Sequence, residues 1–206
     1  MPNDSRTIQE AFAHFLAANH PEGTLAAIAM SLAEGGINDP RLRDIIPHRR
    51  GIEYSAVQSD LLDLVLLYIQ YCLQDHYVTP EESSNVHLLK VLFHVREADL
   101  YSVKRTEVKK LLSAQISMIL NDQNVDPTEA IHQVELQRCF GLSYDQILEL
   151  TRPRVEQIVD ELISQITADG AVTSTERASF VQRVLALDTV YSLSPEQKRL
   201  LDGLAP

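Results

Sequence analysis

Apolar positions along this chain recur with a helical period, and polar caps mark where each run begins. Val155, Ile158, Val159, Leu162, Ile163 and Ile166 stand at i, i+3, i+4, i+7, i+8 and i+11, one face of a helix. Val108, Leu111, Leu112, Ile116, Ile119 and Leu120 form a second stripe, and Phe180, Val184 and Leu187 a third. From Ala56 to Gln74 the chain is apolar on nearly every side. Its exceptions Asp60, Asp63, Gln70 and Gln74 line up at i, i+3, i+10 and i+14, which predicts a central helix with one narrow polar stripe. Thr79-Pro80-Glu81-Glu82 is a capping box with a first-turn proline. Asp126-Pro127-Thr128-Glu129, Ser143-Tyr144-Asp145-Gln146, Thr173-Ser174-Thr175-Glu176 and Ser194-Pro195-Glu196-Gln197 repeat the design. Each cap is worth about 1 kcal/mol, and no comparable signal marks a hairpin or strand.

These signals place helices near 5–18, 23–34, 55–75, 80–96, 101–121, 127–139, 144–169, 174–187 and 195–204. The stretch 35–54, with Pro40, Pro47 and His48-Arg49-Arg50, reads as a linker with one short helical turn. The predicted fold is all-α: a compact multi-helix bundle over 51–206, preceded by an N-terminal helical hairpin and linker over 1–50 that forms an appendage. The hairpin carries Phe12, Phe15, Leu16, Leu25, Ile28, Met30 and Leu32, more apolar surface than two isolated helices cover. It therefore packs on the bundle or joins a homodimer.

Composition narrows the function classes. Of 206 residues, 18 are Lys or Arg and 29 are Asp or Glu, a net charge of −11 that repels nucleic acid and anionic membranes. The most apolar run, Leu61 to Leu73, holds Asp63 and Gln70 and falls short of the roughly 20 apolar residues a bilayer span needs. With no signal-peptide pattern at the N-terminus and two cysteines, the expected location is cytoplasmic. Seven glycines leave no phosphate-cradling loop.

Two segments echo each other at an offset of 94 residues. Asp75, Val78, Thr79 and Glu82 match Asp169, Val172, Thr173 and Glu176; in both, a long helix ends at an Asp, turns, and restarts at a Thr cap sealed by a Val. Ala168-Asp169-Gly170-Ala171-Val172-Thr173-Ser174-Thr175-Glu176 resembles the inter-helix turn of the tellurite-resistance TerB family, and Phe140-Gly141-Leu142-Ser143 is in keeping with it. The resemblance spans roughly residues 55–190. It implies two helical pseudo-repeats and an acidic surface that takes a divalent cation, calcium or similar. It also implies a non-enzymatic role in stress response or tellurite resistance with protein partners. In the first copy His76 replaces the turn glycine, a departure that bears on cation binding there.

The acids of the turns are the candidate chemistry. Asp169, Gly170, Val172 and Glu176 match positions 5, 6, 8 and 12 of an EF-hand loop, but Gln165 and Thr167 stand where positions 1 and 3 need hard oxygens. One turn supplies too few ligands for calcium, which takes about six to eight oxygens. A metal site would need Asp75, Glu82, Asp169 and Glu176 to converge, with Asp60 or Asp63 added. Alternatively the glutamates only close capping boxes and Asp169-Gly170 only makes the turn. Asp60 and Asp63, one helical turn apart, also admit a metal-assisted or carboxylate-dependent hydrolase. His87, Lys90, His94 and Glu97 read as a solvated helix face, since an i, i+7 histidine pair spans about 10 Å and misses a single ion. Cys72 and Cys139 read as buried thiols. Arg41, Arg43, Arg49 and Arg50, and Lys104, Arg105, Lys109 and Lys110, are basic clusters that fit solvated faces or an acidic partner.

Overall fold

The structure is a computed structural model that describes residues 7–46, 52–75, 78–121 and 133–167, with short pieces at 173–175, 178–181, 194–196 and 199. The described residues are all-α and contain no strand. In chain order the helices are α1 (Ile8–Ala18), α2 (Gly23–Gly35), α3 (Pro40–Ile45), α4 (Ile52–Cys72), α5 (Pro80–Leu92), α6 (Glu97–Val103), α7 (Arg105–Asn121), α8 (Gln133–Phe140) and α9 (Tyr144–Thr167). Single 3₁₀ turns follow α2 at Gly36–Asn38 and α4 at Leu73–Asp75. None of the described helices is long and apolar enough to cross a membrane. The expected helices near 174–187 and 195–204 lie largely outside the described residues, as do residues 122–132.

The chain divides into two compact units, one of residues 1–108 with 134–142 and the other of 109–133 with 143–206. In the first, α4 is the axis. Leu61, Leu62, Leu64, Val65, Leu66, Tyr68, Ile69 and Cys72 are buried, while Asp60, Gln70 and Gln74 are exposed and Asp63 is half-exposed, the narrow polar stripe expected from the pattern. Helices α1 and α2, expected as an appendage, share this unit. Phe12 stacks on Tyr68 with ring centroids 4.9 Å apart, and Phe15 sets its edge against Tyr68 and Tyr71. Phe12, Phe15, Ile28 and Leu32 are all buried by this chain itself, each contributing about 1.5–3 kcal/mol of apolar burial. Of the hairpin's large apolar residues, Met30 stays half exposed.

Two local expectations are corrected. The stretch read as a linker contains α3, whose start is signalled by Asp39-Pro40: the Asp39 carboxylate accepts the Arg41 backbone N–H and Pro40 occupies the first turn. The helix expected over 101–121 is two helices, broken at Lys104, whose backbone (φ −120°, ψ 31°) leaves the helical region. The caps at Thr79 and Ser143 form as the sequence predicts. A further box at Thr7 and Glu10 opens α1.

The second unit is described by part of α7 and by α9. Leu112 is buried, as are Ile147, Leu150, Val155, Ile158 and Val159 along one face of α9. Pro153 lies inside α9 on its exposed side and withholds one backbone donor from that helix. Nearby the Arg154 Nε donates to the Ser117 hydroxyl at 2.9 Å, joining α9 to α7.

Candidate functional site

Asp60 and Asp63 sit one turn apart on α4, yet their environments differ. Asp60 is exposed, whereas Asp63 meets Lys104 with Nζ 2.7 Å from each carboxylate oxygen. Lys104 Nζ also donates to the Ser59 hydroxyl at 2.7 Å. This arrangement explains the break between α6 and α7. Lys104 ends one helix and precedes the next, and its side chain is drawn in to a carboxylate forty-one positions away. The expected carboxylate pair is thus one solvated acid and one acid already neutralised by a buried lysine.

The first acidic turn has an equally definite arrangement. The Glu82 Oε2 accepts the Thr79 backbone N–H at 2.9 Å and its hydroxyl at 3.1 Å, while the Thr79 hydroxyl accepts the Glu82 N–H at 3.1 Å. Pro80 fixes the first helical residue and Val78, buried, seals the turn as the echo suggests. Each member satisfies backbone donors that α5 would otherwise leave open. The backbone of Asp75 closes the 3₁₀ turn after α4; its side chain, with Asp169 and Glu176, lies outside the described residues. Among the described residues, no three His, Cys, Asp or Glu side chains gather to hold a metal.

The basic clusters are dispersed into separate contacts. Arg41 Nε donates to both oxygens of Asp39 at 3.0 Å, and its Nη2 reaches Glu34 at 2.7 Å. That guanidinium holds the Asp39 carboxyl below the usual carboxylate range. Arg43 is exposed, and Arg49 and Arg50 lie outside the described residues. In the second cluster Lys104 is buried, Arg105 lies over the Tyr101 ring at 4.8 Å, and Lys109 and Lys110 are exposed.

One constellation escaped the sequence reading. Lys90, assigned to a solvated face with His87, His94 and Glu97, is only 7% exposed. His87, His94 and Glu97 are exposed, and α5 ends at Leu92, before the last two. Lys90 belongs instead beside the buried Val86, Leu89 and Phe93, and that apolar spacing was the available signal. Its Nζ donates to the Arg138 carbonyl at 2.6 Å, in the last turn of α8. Burial lowers the amine to about 8, against weaker opposing influences from the Cys139 thiol and Glu97. Burial likewise pushes the Cys139 thiol up to about 11, with Lys90 and the Ser83 hydroxyl pulling the other way. A thiol so placed is a poor nucleophile, since the thiolate is the reactive form. The lysine does what cations do at helix C-termini: it satisfies a terminal carbonyl and complements the negative end of the dipole.

Compared with known proteins, the chain matches no family model, no curated protein and no solved structure.

Proposed function

We propose that this chain is a non-enzymatic interaction protein of the TerB-like class, whose acidic turns hold helices in place while its surface meets protein partners. The observation that carries this reading is the use already made of two of the six candidate acids. Glu82 is committed to the Thr79 cap and Asp63 to Lys104. A carboxylate engaged in this way is a weak ligand, because a metal would have to displace a helix cap or a buried ammonium. The large apolar side chains exposed among the described residues are Met30, Ile37, Val91 and Val103, and these are the positions at which the proposal is tested. The TerB-like assignment rests on the Asp75-to-Glu82 and Asp169-to-Glu176 echo, and a role in stress response or tellurite resistance follows from it as part of the proposal.

The test is thermal unfolding of metal-stripped protein with calcium, magnesium, manganese or zinc, each with a chelator control. A ligand at about 100 times its dissociation constant adds about 2.7 kcal/mol, so binding is readily seen as a raised midpoint. The expected result is an unchanged midpoint with every metal. A reversible rise abolished by Asp169→Asn with Glu176→Gln would overturn the structural role of the acids and make the chain a cation-responsive module. The interaction role is tested by affinity capture with the parent and with folded Met30→Glu and Val91→Glu chains. Loss of the same partner from one variant supports the reading, and identical captures from all three remove its support.

A further inference from the structure

We draw no further inference here: the strongest candidate, the buried Lys90–Cys139 cluster between α5 and α8, carries nothing beyond the fold, because the amine already serves the Arg138 carbonyl at the end of α8 and any reactivity would rest on its titration and a lone buried thiol.

Discussion

Helices α5 and α8 close with the same backbone device, built on different residues. At the end of α5, the Val95 N–H returns to the Lys90 carbonyl at 2.8 Å and the His94 N–H to the Val91 carbonyl at 3.1 Å, with His94 left-handed at φ 56°. At the end of α8, the Leu142 N–H returns to the Gln137 carbonyl at 3.1 Å, and the left-handed residue is Gly141 at φ 64°. The α5 closure makes both bonds of a Schellman motif and the α8 closure the longer of the two, each with the chain reversing through the αL region. Lys90 takes part in each: its carbonyl receives the first closure and its side chain supports the second at Arg138. The difference lies in the surroundings. His94 is exposed and its imidazole only makes a tilted approach to Tyr54, so a side chain there meets backbone strain but no steric bar. A Cβ on Gly141 would stand 2.8 Å from the Glu97 carbonyl oxygen and 2.9 Å from its Cα, so glycine is required twice over, by φ and by the approach of the α6 backbone.

Replacing Gly141 is therefore the largest expected perturbation. Gly141→Ala forces either the α8 closure or the start of α6 to move, and neither contact is a flexible side-chain end. The expected loss is about 3 kcal/mol or more, combining left-handed strain with a backbone clash. Denaturant unfolding measures it directly. A loss under about 1 kcal/mol would mean that α8 is not held against the Glu97 backbone.

The role of Lys90 is separated by pH. Its folded amine titrates near 8 against 10.5 for an unperturbed lysine, so between those values the unfolded state binds more protons and stability rises with pH. Cys139 acts in the opposite sense: its thiol titrates near 11 when folded and 9 when free, so stability falls as pH rises from 9 towards 11. Burial also raises the Tyr68 hydroxyl above its ordinary 10, adding to the decline at still higher pH. The most informative window is pH 8 to 9, where the lysine contribution exceeds the opposing one of the thiol, which grows as pH approaches 9. Parent protein should show a rising denaturation midpoint across it, and Lys90→Met one that does not rise and declines towards pH 9 as the thiol contribution takes over. Methionine fills similar volume but takes the Lys90 donor away from the Arg138 carbonyl, so the variant should lose about 1–3 kcal/mol at pH 7. A parent midpoint that does not rise across this window would show that the amine is not desolvated.

These closures also show what the sequence made legible. Helix starts were readable at Thr79 and Ser143 because a capping box lies within four consecutive residues. The same grammar was present and overlooked at Thr7 and at Asp39-Pro40. Helix ends were harder. His94 is not the residue that announces a left-handed turn, and the break at Lys104 depends on Asp63 and Ser59, more than forty positions earlier. The candidate acids were identifiable as residue types, but their partners were not. Nothing in the neighbourhood of Asp63 points to Lys104, so an acid on the polar stripe of a buried helix reads equally as catalyst, ligand or half of an ion pair. Lys90 reads as surface for a related reason: a lysine is expected in water, and the Arg138 carbonyl that accepts its hydrogen bond is contributed by a helix forty-eight residues on.

The smallest and most informative change is His94→Gly. If the two closures share one geometry, glycine should relieve the αL strain of an L-residue, worth about 1–2 kcal/mol, against a somewhat smaller entropic penalty for the freer unfolded chain. The tilted approach of the imidazole to Tyr54, with centroids 6.5 Å apart, would be lost as well. The Tyr54 hydroxyl, however, donates to the Phe93 carbonyl and not to the ring, so that link across the turn survives. The net expectation is a gain of up to about 1 kcal/mol, or roughly 2–4 °C in Tm for a chain of this size. His94→Ala separates the two contributions, since it removes the ring but keeps the strain. If alanine is no more stable than the parent while glycine is, the αL backbone carries the difference. If both variants are destabilised alike, the imidazole packing outweighs the strain, and the end of α5 is held by its histidine where the end of α8 is held by its glycine.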